Sequence, residues 1–148
     1  MCLRGISVPT AFGVAVEIGD WTRFTGSTNG AYLGLVPSEH SSGASRSLGG
    51  ITKTGNSHAR GLLVEAAWHN RRPYSNVSRE MRARWDAADE HSRVRGHQGN
   101  HRLHHKWDQF EARHKRRVIA NVAVVRELAG WCWSLASAVK QEQPCTDE

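Results

Sequence analysis

Two adjacent serines, Ser41 and Ser42, stand before Gly43 in a stretch, residues 31–60, that also carries the cations Arg46, Lys53 and Arg60. A serine hydroxyl attacks a phosphate once something removes its proton or stabilises the charge that develops on the phosphate oxygens. Spaced guanidinium and ammonium groups meet the second condition and hold the phosphate beforehand. Gly43, Gly49, Gly50 and Gly55 allow close backbone approach. The combination suits phosphoryl transfer on a nucleic acid. His40, two positions before Ser42, is the nearest residue that could form a Ser-His pair, although a histidine in a polar loop is more often solvated. Arg71 and Arg72, ahead of Pro73, add two candidate phosphate ligands. The plainer reading is a Gly-rich surface hairpin with solvated charges, and from the residues alone both stand.

The elements that must position these groups read as mainly α. Apolar and small residues at Ala11, Phe12, Val14, Ala15 and Ile18 fall at helical spacing, with Pro9 in the first turn and Gly19 as the stop. A second short helix is expected over residues 28–35, ending before Pro37. Residues 38–55 break periodicity and predict an irregular loop or small hairpin with Ile51 turned inward. Asn56 or Ser57 caps the next helix, in which Leu62, Leu63, Ala66 and Ala67 form an apolar stripe. Past Pro73 a basic helical bundle is expected. One helix reaches about His91 with Trp85 as its anchor, and Gly96, Gly99 and Asn100 then break it. Another covers residues 101–114, with Leu103, Trp107 and Phe110 facing the core. A last one covers residues 115–140, with Val118, Val122, Val125, Ala129 and Cys132 on one stripe. The expected division is residues 1–75 as a serine-bearing core and residues 76–148 as a basic extension packed on it.

The 148 residues suffice for one domain-sized core, and their formal charge is +6. Residues 53–117 hold fifteen basic and seven acidic side chains and eight of the nine histidines. Such a field attracts a polyanion, most simply nucleic acid. Cys2, Cys132 and Cys145 lack the spacing of a zinc or redox pair. With no signal-peptide core and no uninterrupted apolar run near the ~18 residues of a span, the expectation is a cytoplasmic, nucleoid-associated protein with no membrane partner.

The wording of the segments carries more than their composition. Tyr32-Leu33-Gly34-Leu35-Val36-Pro37, Glu39-His40-Ser41-Ser42-Gly43, Gly50-Ile51-Thr52-Lys53-Thr54-Gly55-Asn56 and Arg60-Gly61-Leu62-Leu63-Val64-Glu65-Ala66-Ala67 resemble one family. It is the carboxy-terminal domain of the one-ten, one-sixteen and nine-oh-two group of bacterial insertion-sequence transposases, which includes a pilin-gene invertase. The resemblance begins near Leu3-Arg4-Gly5-Ile6, which is similar to a helix-hairpin-helix turn whose amides could hold a phosphate. It resumes at Arg126-Glu127-Leu128-Ala129-Gly130-Trp131. It implies DNA transposition through a serine nucleophile, Ser42, with Ser41 as the fallback, and a phosphoserine intermediate. It further implies a separate ribonuclease-H-like domain, whose acidic tetrad would bind a divalent metal such as magnesium. Glu17, Asp20 and Glu39 lack the strand context for that role. The expected partners are DNA, a guide RNA, the acidic domain or a full-length transposase, and another copy of the chain. The expectation is thus a truncated recombinase part, inactive alone. The alternative is a non-catalytic nucleic-acid-binding remnant.

Other chemistries fit less well. Around Ser41 and Ser42 there is no Gly-x-Ser-x-Gly elbow, and the chain holds no phosphate-binding P-loop or zinc finger. His97, His101, His104 and His105 include pairs spaced by four, but with the helix broken at Gly99 and Asn100, no carboxylate in register and no nearby cysteine, no metal is assigned. Trp68, Trp85, Trp107, Trp131 and Trp133 sit beside Leu and Val at helical spacing and read as core before they read as base-stacking groups.

Overall fold

Capping side chains and backbone turns set the helix boundaries. In the computed structural model, which describes residues 2–42, 45–75 and 77–141, Ser7 accepts a hydrogen bond from the Thr10 amide and opens α1, Val8–Ile18, with Pro9 in the first turn. Gly19, at φ 66°, closes it. After a 3-10 turn at Trp21–Arg23 comes the short α2, Thr28–Tyr32. It ends earlier than the expected residue 35, because Gly34 takes a left-handed φ of 65° and turns the chain away. A Cβ there would lie 2.0 Å from the Thr54 carbonyl oxygen, so no larger residue fits.

The Gly/Ser-rich stretch is a hairpin of β1, Pro37–Ser42, and β2, Ser45–Ile51, paired antiparallel. Ile51 packs partly against the core, as expected. Asn56 then caps α3, Ser57–Trp68, by accepting from the Ala59 amide. Buried Ala59, Leu63, Ala66 and Ala67 form the inner face of α3, and Leu62 is partly buried. A 3-10 turn, His69–Arg71, leads to α4, Arg79–Asp86, capped by Ser78.

From Asp89, which accepts from the Ser92 amide, α5 runs unbroken over Glu90–Ala112. Gly96, Gly99 and Asn100 do not break it, contrary to the sequence expectation. A Cβ on Gly96 would sit 2.3 Å from Cys2 Cβ, and one on Gly99 would sit 2.8 Å from Leu3 Cδ2. The glycines let the amino-terminal segment lie against the helix. Asn100, fully buried, binds that segment by donating to the Cys2 carbonyl at 2.9 Å and accepting from the Arg4 amide at 2.8 Å.

The last helix, α6, spans Arg117–Gln141. Its buried stripe is Ala120, Val124 and Leu128 beside Asn121, Val125 and Ala129. Val118, expected on that stripe, is 66% exposed. The helix is rotated so that Asn121 donates to the Val64 carbonyl of α3, and Arg117, Val118 and Ile119 of its first turn are exposed. By length and mean hydropathy α6 is the one described helix that could cross a membrane. Its inner face instead joins the core with Leu3, Ile18, Leu33, Leu63, Leu103 and Trp107, which crosses from the first half of the chain to the second. The fold is therefore mainly α, with one small sheet among the described residues.

Candidate functional site

Backbone pairing places the serines. In the hairpin Ser42 faces Ser45, Ser41 faces Arg46 and His40 faces Ser47, after an irregularity between Pro37 and Glu39. Ser42 is the last residue of β1; Gly43, its expected neighbour in the chemistry, lies outside the described residues. The base of the hairpin is tied down by hydrogen bonds from the Thr52 amide to the Val36 carbonyl and from the Lys53 amide to the Gly34 carbonyl. Ser38 Oγ adds a bond to the Gly50 carbonyl at 2.9 Å. Among the described residues neither strand packs broadly on a helix, so the hairpin forms an arm with the serine pair at the far end of β1.

This geometry separates the cations expected around Ser42. Arg46, directly across from Ser41, is the one that the register brings beside the serines. Lys53, exposed and held at φ 57°, lies beyond the base of the arm. Five strand steps separate Ser42 from Pro37, about 17 Å at the usual rise per residue. Arg60 is also at the base, where its Nη1 donates to the Leu33 carbonyl at 2.9 Å and closes the end of α2. Arg71 forms an ion pair with Glu111 at 2.8 Å and holds that carboxyl below its ordinary range. Arg72 is exposed, and its carbonyl accepts from Arg4 Nη1.

At the base, the structure brings together three residues that were not joined in the sequence. Glu17 accepts from Asn56 Nδ2 at 2.7 Å and meets His58 Nδ1 at 2.6 Å. The Asn56 and His58 hydrogen bonds hold the Glu17 carboxyl below its usual range. The network clamps the end of α1 to the start of α3, and Tyr32 adds a bond to the Glu17 carbonyl. Forty-one positions separate Glu17 from His58, so no local spacing announces the pair.

The Leu3-Arg4-Gly5-Ile6 turn uses its amides within the chain. Arg4 N donates to Asn100, Ile6 N to the Leu3 carbonyl and Ser7 N to the Gly5 carbonyl. Those three donors are not available to a DNA phosphate. Gly5, at φ 78°, packs so closely on Ala66 that a Cβ would fall 2.1 Å from its carbonyl oxygen.

The histidines of α5 form an aromatic cluster. His97 and His101 meet edge to face with centroids 4.6 Å apart, and the Tyr74 hydroxyl is 3.1 Å from His97 Nδ1. Two sequence arguments about these residues are corrected: α5 is continuous through Gly99, and Asp108 does stand in register with His104, at 3.4 Å. No group of three or more potential metal ligands occurs among the described residues. The tryptophans serve the body: Trp107 is fully buried, Trp85 donates to the Cys2 carbonyl, and Trp133 donates to the Phe24 carbonyl. Burial pushes the Cys132 thiol up to about 12, which leaves it a poor nucleophile.

Residues 1–85, which include the whole arm and α3, match the model of the transposase IS116/IS110/IS902 family. The chain belongs to that family. Among its relatives, "Putative transposase y4qE" of Sinorhizobium fredii is 37% identical over 140 residues, 94% of this chain and 36% of that protein. "Probable family 20 transposase" of Pseudomonas aeruginosa is 38% identical over 86 residues, 57% of this chain and 25% of that protein. "Transposase for insertion sequence element IS1111A" of Coxiella burnetii is 42% identical over 66 residues, 44% of this chain and 18% of that protein. The chain thus spans about a third or less of the length of these relatives. No solved structure matches it.

Proposed function

We propose that this chain is the serine-bearing, carboxy-terminal part of an insertion-sequence transposase of the pilin-invertase kind, and that it acts in DNA transposition through Ser42. The observation that carries this reading is the arm: a Ser-Ser pair at the far end of a hairpin strand, with Arg46 paired opposite Ser41, inside the residues that match the family. Ser42 Oγ attacks a DNA phosphorus and loses its proton as the new O–P bond forms. The displaced bridging oxygen leaves and is protonated, and attack by a second strand's hydroxyl on the phosphoserine reverses the exchange. Arg46 neutralises charge on the transferring phosphate. Ser41 is the fallback nucleophile. An acidic domain from the remainder of a full-length transposase, with magnesium, completes the machinery, and a guide RNA and a second copy of the chain are further partners. The working place is the bacterial cytoplasm, at the nucleoid.

A second reading, a non-catalytic nucleic-acid-binding remnant, draws on the arrangement of the cations. Arg60 and Arg71 are engaged within the chain, and Lys53 stands at the wrong end of the arm to reach a phosphate at Ser42. The two readings part in a trapping experiment. With the family's acidic domain and magnesium supplied, a labelled DNA substrate becomes covalently attached. Ser42→Ala abolishes the adduct while leaving DNA affinity within about twofold, because it deletes the bond-forming atom and no charge. Adduct persisting in Ser42→Ala but lost in Ser41→Ala moves the role one residue back; adduct persisting in both overturns the serine mechanism for this loop, and a wild-type chain that binds DNA but forms no adduct supports the remnant.

A further inference from the structure

A cleft of about 420 Å³ opens where the residues just before α2 meet α5 and α6. Arg95, Lys106 and Arg126 line it beside a single carboxylate, Glu127. Gly130 and Gly26 also line it, and their backbones approach closely: a Cβ on Gly130 would lie 3.9 Å from the Gly26 carbonyl oxygen. Of the three cations only Arg126 stands in a segment that carried the family resemblance, and all lie beyond residue 85, where the family match ends.

Arg95 and Lys106 are preset. The Arg95 guanidinium lies 4.3 Å over the Trp131 ring and donates Nε to Ser134 Oγ at 2.9 Å, which fixes its plane and leaves both Nη groups without a protein partner among the described residues. Glu127 binds Lys106 through one carboxylate oxygen and Arg102 through the other, at 2.8 Å. Burial pushes the Glu127 carboxyl up, but these hydrogen bonds outweigh it and hold the group below its ordinary range. Lys106 keeps two donors beyond the one given to Glu127. Arg126 is exposed, with no hydrogen-bond partner among the described residues. Among the described residues, four cations stand around one carboxylate, a local excess of positive charge.

We propose that this cleft seats a backbone phosphate of a nucleic-acid strand, with Arg95 and Arg126 as the donors and the Lys106–Glu127–Arg102 cluster as the positive wall that orients it. Fork-shaped guanidinium donors match phosphate oxygens, and an open cleft accepts a continuing strand where a closed one would hold only a free anion. The inference rests on the reading of the chain as a nucleic-acid-binding protein and adds the place at which a strand is held, apart from the serine arm. DNA and RNA share the phosphate, so both are probed.

The experiment measures equilibrium binding of the whole chain to fluorescent DNA and RNA oligonucleotides of one sequence, across salt, with polyglutamate as a competitor. Arg126→Gln and Arg95→Gln are each expected to weaken at least one probe about fivefold or more, and to lower the salt slope by roughly one. Arg82→Gln, the same charge loss on exposed α4, should change affinity less than twofold. Glu127→Gln should tighten binding, a gain that misfolding does not produce. Whichever probe responds names the strand. Cleft variants that bind both probes like Arg82→Gln would overturn the inference, as would polyglutamate competing as well as nucleic acid. A wild-type chain that binds neither probe would overturn the nucleic-acid reading itself, a different failure.

Discussion

Asn100 holds the amino-terminal segment on the helical body, with both ends of its side chain bonded to that segment in a fully buried position. Replacing it by Leu strands a buried amide and a buried carbonyl. Asn100→Leu is expected to cost about 2–4 kcal/mol in denaturant unfolding. Gly96→Ala, which drives a methyl into Cys2, should cost about 1–3 kcal/mol. Neither role was legible in the sequence, where Gly96, Gly99 and Asn100 read as breakers, because the segment that makes them necessary lies more than ninety residues away. Glu127 gives a pH prediction. Its folded-state pKa is depressed below the ordinary 4.5. The stability it contributes is therefore complete above pH 4.5 and is lost as pH falls through the lower folded value. Melting temperature measured against pH should fall more steeply below 4.5 in the wild type than in Glu127→Gln; parallel curves would contradict the assignment.

The hairpin arm pairs chiefly with itself, whereas α3, α5 and α6 share the core. The core and the proposed chemistry are thus on different elements. Replacing residues 38–50 with a short Gly-Ser linker, which retains Ile51, should shift the melting temperature by only about 3 °C, since little apolar surface is uncovered. A large loss of cooperativity would show that the arm is part of the body. The arm was legible as a break in helical period with Ile51 facing inward, and α1 and α3 were legible from Pro9, Gly19 and Asn56. The spread of the cations was not. Arg46, Lys53 and Arg60 sit within fifteen residues in the sequence, but a hairpin folds the first beside Ser41 and leaves the other two at its base. The α6 stripe was legible at Val125, Ala129 and Cys132, but not at its start, where Val118 is exposed and the polar Asn121 turns inward to bond Val64.

Over the whole molecule, charge and family agree. The chain carries +6, with the excess concentrated in residues 53–117, and it belongs to a transposase family. Affinity for DNA should fall steeply with salt, with a log-log slope of roughly −0.9 per phosphate neutralised on duplex DNA. Flat affinity between 50 and 200 mM salt, about the range over which such contacts weaken strongly, would argue against phosphate-driven binding. The serine chemistry requires a more direct measurement. DNA trapped on the protein, with the acidic domain and magnesium present, should be digested to a residual nucleotide and the modified peptide sequenced by mass spectrometry. The expected result is one nucleotide-bearing residue, Ser42, at the end of the arm. A nucleotide attached anywhere outside the Ser41–Ser42 pair would contradict the proposed mechanism.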